Sequence, residues 1–466
     1  MAAGFISFPI LTRIFSVSDY GILGLITTTL LIVTAITKLG FPESIVRFYA
    51  EFKSANRLSN FYSTLFLVSG VVGAIVAIIF ILVTHFMNNN FLGRNTSNLL
   101  FLVSILIFIS SMKLTLHSFL RAEQRTKLYN LISVIHRYGS LSLSIFLAFH
   151  FVKGLYGFYV GQIISGVIIL IFLMYISLKR VKINMEGFSI DILKDSLKFG
   201  FPLIWAELGH LVLNYIDRYL IQLYLGSMSL GLYIAGYNLA TYVTEVIIYP
   251  INYAMVPIYM SILANKGEEE TRIFFTKSFR YFILIMFPVT FGFIAVSKDL
   301  ITFLASTKYA ESYNILAYVA IGQAIYACTL ILNNGLFIRK KTYLYKDIMI
   351  ITCLLNIGLN IILIPMFGII GAAQATLISY IFYTIVITYY AFKEFRFPID
   401  YAHIMLYLFA AATMYLVMKS IDNGTPFVNL LTRIPAGAIF YAILIMALDR
   451  DIRNAAFRMI ARPSKV

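Results

Sequence analysis

Apolar residues run along this chain in blocks of about twenty, separated by short polar segments. A helix needs about 20 apolar residues to cross the hydrocarbon core of a bilayer, so each block predicts a transmembrane helix. The blocks fall near 1–15, 22–46, 61–86, 98–120, 128–150, 155–178, 199–223, 230–259, 279–304, 312–337, 347–365, 369–392, 401–419 and 428–448. The fold class predicted is an all-α integral membrane protein with about 14 transmembrane helices. The first block is the weakest. From Met1 to Leu11 it is too short to span alone at about 1.5 Å per residue. It also lacks the charged start of a signal peptide, so its helix is expected to begin upstream or to be shortened here.

The basic residues between the blocks test that count. Loops after even-numbered spans, together with the C-terminal tail, hold 26 of the 37 Lys and Arg residues. Loops after odd-numbered spans hold seven: Arg13, Arg94, Lys153, Lys298, Lys308, Lys419 and Arg433. The positive-inside rule then places both termini in the cytoplasm. The longest outer loop, around Met87–Asn98, is about a dozen residues, which leaves no room for an external catalytic domain.

The two halves of the chain echo each other. Ser18-Asp19-Tyr20-Gly21 has a counterpart in Ser229-Leu230-Gly231. Phe119-Leu120-Arg121 is matched by Phe337-Ile338-Arg339, and Gly154-Leu155-Tyr156-Gly157 by Gly368-Ile369-Ile370-Gly371. The near-constant offset predicts two parallel six-helix lobes, over 1–180 and 181–396, with two extra helices and a basic tail over 397–466. Parallel repeats of this kind build transporters with a site between the lobes.

Composition supports the membrane assignment. The chain is 60% hydrophobic and only 12% charged, too few charges to cover a water-facing surface. Its net charge of +16 is spread thinly between apolar runs, with no basic domain or arm, which argues against nucleic acid. Cys328 and Cys353 both lie inside apolar segments and read as buried free thiols. No Walker A loop, zinc-type cluster or Gly-x-Ser-x-Gly elbow is present, so neither ATP-driven transport nor an enzyme is indicated. Asn95-Thr96-Ser97 fits the short and common N-glycosylation pattern.

Charged groups at bilayer depth are costly and usually face a bundle interior or an aqueous cavity. The predicted seventh span carries Glu207, His210, Asn214, Asp217 and Arg218. At about 100° per residue these fall within an arc of about 100°, a polar stripe suited to lining a pathway. The alternative is a local Asp217/Arg218 pair near the outer interface, with the rest bonding neighbouring helices. Lys38 lies in the second span, Lys113 and His117 four apart in the fourth, and His136 and Arg137 in the fifth. Glu245 lies in the eighth, on a face with Asn238 and Thr241. The charges inside the first lobe are thus mainly cationic: Lys38, Lys113 and Arg137. Snorkelling of these long side chains to the headgroups is the alternative reading. A cationic cavity predicts an anionic ligand, and Arg suits phosphate oxygens. Pro9, Pro42, Pro202, Pro250, Pro257, Pro288 and Pro365 lie in or at the ends of spans, where kinks are tolerated.

Several stretches carry a family resemblance. They are Phe8-Pro9-Ile10-Leu11-Thr12-Arg13-Ile14-Phe15, Ser18-Asp19-Tyr20-Gly21 and Leu39-Gly40-Phe41-Pro42-Glu43-Ser44-Ile45-Val46-Arg47-Phe48-Tyr49. Further along come Ser196-Leu197-Lys198-Phe199-Gly200-Phe201-Pro202, Asp217-Arg218-Tyr219, Leu225-Gly226 and Lys308-Tyr309-Ala310. Together they resemble Wzx-type polysaccharide flippases, in a superfamily that also covers multidrug extruders and lipid II flippases.

The resemblance implies fourteen helices in two lobes around an inner cationic cavity. It implies a transporter of the cytoplasmic (inner) membrane, not an enzyme. Such a protein moves undecaprenyl-diphosphate-linked oligosaccharides, for lipopolysaccharide O-antigen, capsule or a similar repeat unit, to the outer leaflet by alternating access. Arg13, Lys38 and Arg47 sit where related flippases place basic residues near the cavity. With Lys113, Arg137 and Arg218 they make the candidate substrate-binding set. Glu207, His210, Asn214, Asp217 and Glu245 make the pathway-lining or ion-coupling set, with H⁺ or Na⁺ as the coupling ion and no other cofactor or metal. The partners implied are the lipid-linked oligosaccharide, membrane lipid and polysaccharide polymerase machinery. The rivals are a lipid II flippase, a multidrug exporter of the same fold and a polymerase- or ligase-type membrane enzyme. The exporter would favour acidic cavity residues, and the enzyme a large outer loop.

Overall fold

The computed structural model describes residues 2–86, 97–151 and 154–454. Most of the outer loop expected around Met87–Asn98, and the basic tail beyond 454, lie outside them. Among the described residues there is no strand. The helices run in the order α1 (Ala2–Ile14), α2 (Val17–Thr37), α3 (Phe41–Ser54), α4 (Leu58–Phe86), α5 (Ser97–Ala122), α6 (Thr126–His150) and α7 (Leu155–Leu178). They continue with α8 (Ile190–Ala305), α9 (Tyr313–Leu332), α10 (Asn334–Ile338), α11 (Thr342–Glu394), α12 (Tyr401–Ser420) and α13 (Pro426–Leu448). Ten helical stretches among the described residues are long and apolar enough to cross a membrane, and the chain is a multi-pass helical membrane protein.

Glycines divide the longest runs. A straight helix of the length of α8, 116 residues, would measure about 170 Å, several bilayers thick. The run turns instead at Gly226 and Gly267, whose φ angles are 78° and 84°. Gly368, at φ 62° and ψ −141°, divides α11 in the same way. Positive φ costs glycine nothing and any side chain dearly. The span boundaries expected at 223/230, 259/279 and 365/369 bracket these three turns. The expected second span, 22–46, requires correction. Leu39 and Gly40 have φ of 49° and 70°, which ends α2 at Thr37. Pro42 then starts α3, where its missing N–H removes no helical bond. α3 is amphipathic: Phe41, Ser44 and Ile45 are buried, while Arg47, Glu51 and Lys53 are exposed.

The chain forms two compact units, Phe15–Gly231 and Met1–Ile14 with Leu232–Val466. In the first unit α5 is the central helix, with 61% of its apolar window buried, and α6 is peripheral, with 17%. Ser69 and Thr115 share a 2.7 Å hydrogen bond between α4 and α5. Tyr62 Oη donates to Glu123 Oε1 at 2.5 Å, tying α4 to the end of α5. Such small and polar groups replace the hydrophobic effect as the force joining helices in lipid. α4 leaves Val71, Ile75, Ile78, Ile79 and Leu82 exposed along one helical face, a surface suited to acyl chains.

The second unit packs around Phe275, Phe282, Met286, Tyr407, Ala410, Ala411 and Met414, a core that includes α12 and α13. Two polar clusters bolt α13 to the last stretch of α8. At one end Arg433 binds Asp299 at 2.6 Å. At the other Arg280 donates to both carboxylate oxygens of Asp449, at 2.9 and 2.8 Å.

Candidate functional site

In the first unit, α5, α6 and α7 form an open pocket of about 390 Å³ lined by Lys113, Leu114, His117, Ser133, His136, Arg137, Ser140 and Gln162. Four of these carry nitrogen bases and none carries a carboxylate. Lys113 lies nine residues before the end of α5, and His136 ten residues after the start of α6. Both are therefore about 14 Å in from those helix ends, well inside helices long enough to cross a membrane. Lys113 Nζ is 2.7 Å from His136 Nε2. The other ring nitrogen of His136, Nδ1, lies 3.4 Å from Ser165 Oγ. His117 stacks at a tilt on Tyr129, 4.5 Å between ring centroids. Arg137 is exposed at the cavity. The cavity brings together two members of the expected cationic set, Lys113 and Arg137. It adds His117, His136, Ser133, Ser140 and Gln162.

α2 runs antiparallel to the first stretch of α8, before Gly226, and its start also meets the stretch that follows Gly226. At one end an added Cβ on Gly231 would lie 1.9 Å from the carbonyl oxygen of Val17, and one on Gly21 2.2 Å from that of Ser227. At the other, a Cβ on Gly200 would lie 2.5 Å from the carbonyl oxygen of Gly40. The start of α2 thus meets α8 just past Gly226 backbone to backbone, and the turn at Gly40 meets Gly200 in the same way. Between these ends Thr29 and Tyr219 share a 2.8 Å hydrogen bond, and Arg218 donates to Thr28 Oγ1 at 3.0 Å.

The polar stripe of α8 grades along this interface. Asp217 and Arg218 are buried, at 2% and 6% exposure. Asp217 accepts the backbone N–H of Arg218, whose guanidinium also lies 4.5 Å from the Tyr215 ring centroid. Glu207 and Asn214 are half-buried and His210 is exposed. Asn214 Nδ2 donates to the carbonyl of His210 at 2.7 Å. Lys38, just beyond the end of α2, binds Glu207 at 2.6 Å, with Glu43 at 3.9 Å. The cation expected of Lys38 is therefore held by a carboxylate from the stripe.

The remaining candidates are carried by other elements. Arg47 is on the exposed face of α3, 3.9 Å from Glu51. Arg13 and Glu245 belong to the second unit. Arg13 donates to the carbonyl of Phe303 at 2.8 Å, near the end of α8. Glu245 is half-buried in α8, eight residues after Tyr237, which accepts at its carbonyl from Thr241. Among the described residues, His403, Asp449 and Asp451 lie close enough together for metal ligands. Arg280 already donates to both carboxylates, to Asp451 at 2.9 Å, and so fills the cation's place.

The comparisons with known proteins agree with this architecture. A model of the polysaccharide biosynthesis protein family matches residues 10–314, and one of the lipid II flippase MurJ matches residues 246–428. The solved structure of lipid II flippase MurJ in an inward closed conformation superposes with a TM-score of 0.81. It is 17% identical and the match covers 97% of both chains, so the two share a fold. From Haloferax volcanii, the "Probable low-salt glycan biosynthesis flippase Agl15" is 19% identical over 61% of this chain and 61% of its own length. The "Probable flippase AglR" of the same organism is 22% identical over 73% of this chain and 72% of its own. The chain thus spans about three fifths of Agl15. On the match over residues 10–314, the chain belongs to the polysaccharide biosynthesis protein family.

Proposed function

We propose that the protein flips an undecaprenyl-diphosphate-linked oligosaccharide from the cytoplasmic to the outer leaflet of the cytoplasmic membrane by alternating access. The observation that carries this reading is the cavity lined by Lys113, His117, His136 and Arg137 without a carboxylate. At bilayer depth such a lining costs free energy unless an anion compensates it, and a diphosphate provides the charge. Agl15 and AglR, described as flippases, support the direction of the assignment.

Lys38 and Glu207 supply a route for coupling. Proton uptake by Glu207, or approach of a diphosphate to Lys38, would each weaken their 2.6 Å pair. A ligand shifts a conformational equilibrium only through different affinities for the two states. An ion pair that exists in one state and not the other provides that difference. In this reading both termini are cytoplasmic, following the excess of basic residues in alternate loops.

A second reading, lipid II as the substrate, is favoured by the MurJ match over residues 246–428. Both substrates carry a polyprenyl diphosphate, so the sugar separates them. Protein reconstituted in vesicles should translocate a fluorescent undecaprenyl-diphosphate oligosaccharide and discriminate against lipid II. Faster movement of lipid II would decide for the second reading, and movement of neither would remove both.

A further inference from the structure

The turn between α11 and α12, in the second unit, encloses a cavity of about 340 Å³ lined by Thr388, Tyr389, Phe392, Lys393, Arg396, Phe397, Pro398, Ile399 and Tyr401. We propose that this cavity binds the phosphate headgroup of an anionic membrane phospholipid. It is separate from the cavity between α5, α6 and α7.

Three observations lead there. The first is position. α11 ends at Glu394 and α12 begins at Tyr401, so the turn lies where the hydrocarbon core gives way to headgroups. Tyr389 and Tyr401 are exposed at 57% and 67%, as interfacial aromatic residues are.

The second is charge. Lys393 Nζ lies 4.4 Å from the Tyr389 ring centroid and 5.7 Å from that of Tyr390. It has no carboxylate partner among the described residues, and neither has Arg396. The nearby carboxylates are committed elsewhere. Glu394 binds Lys341 at 2.8 Å. Asp400 binds His403 at 2.6 Å, with Arg280 at 4.0 Å. The cavity therefore has two cations and no acid in its lining.

The third is shape. Phe392 and Phe397 meet edge to face at 5.1 Å and, with Pro398 and Ile399, make up the apolar part of the lining beside Lys393 and Arg396. Free phosphate would use only Lys393 and Arg396. A phospholipid would place its phosphate on these two cations and its glycerol and first methylenes against the apolar residues. Basic pockets between spanning helices at the membrane boundary suit such headgroups, with each Lys or Arg worth about fivefold in affinity.

The test uses the full chain reconstituted with phosphatidylglycerol and phosphatidylcholine, then released for native mass spectrometry. The wild type should retain phosphatidylglycerol in preference to phosphatidylcholine. Lys393→Gln with Arg396→Gln should lose one retained phosphatidylglycerol, an affinity loss of about thirtyfold for two cations. Lys346→Gln, on an exposed lysine paired with Asp347 at 3.2 Å, should retain it. The charge-preserving pair Lys393→Arg with Arg396→Lys should retain it too. Three results would overturn the proposal: equal retention of the two lipids by the wild type, undiminished phosphatidylglycerol on the doubly neutralised variant, or displacement of the lipid by inorganic phosphate alone. The first needs no variant to fold.

Discussion

Lys38 and Glu207 form a 2.6 Å ion pair between the end of α2 and the first stretch of α8. The lysine side chain is 13% exposed and the glutamate 40%, so the pair sits at the edge of the protein interior. It ties a residue of the expected binding set to one of the expected coupling set. Neither can then act alone. Replacing Lys38 with Met should uncover Glu207, and replacing Glu207 with Gln should uncover Lys38. The double replacement should slow transport less than the product of the two single effects. The half-exposed setting keeps the effect on stability small, at about 1 kcal/mol or less. Transport rates in the four-member cycle check this, and strict additivity would show the pair to be idle.

The contact between α2 and α8 depends on the absence of side chains. Gly231→Ala would place a methyl group 1.9 Å from the carbonyl oxygen of Val17, an overlap that only backbone movement relieves. The loss should be about 1–3 kcal/mol, as for other overpacked contacts. Gly139→Ala, on a glycine with open space around its Cβ position, should leave stability unchanged or slightly raised. Thermal unfolding of both variants in detergent reads the difference.

Arg280 is the chief link between α8 and the end of α13. Arg280→Met would leave Asp449 buried without its cation, and should lower stability by about 3–5 kcal/mol. Arg280→Lys should recover only part, because one ammonium cannot serve Tyr407, Asp451 and Asp449 together as the three guanidinium nitrogens do.

The same site sets an acid limit. Burial raises the pKa of Asp449, but hydrogen bonds from Tyr407, Arg280 and the backbone N–H of Ile452 outweigh it and hold the carboxyl at about 2. An unfolded aspartate titrates near about 3.9. The folded state therefore binds the proton more weakly, and this group's stabilisation is fully present above about pH 4. It is lost as pH falls from there through about 2, in total about 2.5 kcal/mol. The unfolding temperature of the wild type should fall across that window more steeply than that of Asp449→Asn.

Topology is open to labelling. A cysteine at Asn423, between α12 and α13, should react with an impermeant maleimide added outside intact cells. A cysteine at Lys341, between α10 and α11, should react only after permeabilisation. The reverse pattern would invert the orientation.

Much of the helical layout was legible in the chain, because hydrocarbon thickness imposes block lengths and glycines mark the turns. Gly226, Gly267 and Gly368 all fell in expected gaps. Leu39–Gly40 did not, because the apolar run passes through it, and only the backbone angles reveal that Phe41 begins a new, surface-lying helix. The polar stripe of α8 was readable from spacing within one helix. Its partners were not: Lys38 is far from Glu207 in sequence, and only helix packing pairs them. Lys113 and Arg137 were readable as intramembrane charges. Their union with His117, His136 and Gln162 depends on how α5, α6 and α7 pack, and Gln162 carried no signal beyond being polar in an apolar helix. The Arg280–Asp449 cluster was hidden because its residues look like ordinary boundary charges.

The most direct test of the central claim follows the lipid-linked glycan in cells. In a strain lacking this gene, undecaprenyl-diphosphate-linked oligosaccharide should accumulate in the cytoplasmic leaflet and disappear when the wild-type gene is returned. The variant Lys113→Ala with Arg137→Ala, present in the membrane at the wild-type level, should leave the intermediate accumulated. Clearance of the intermediate by that variant at the wild-type rate would remove the cavity from the transport path. Absence of any lipid-linked glycan build-up in the deletion strain would contradict the assignment itself.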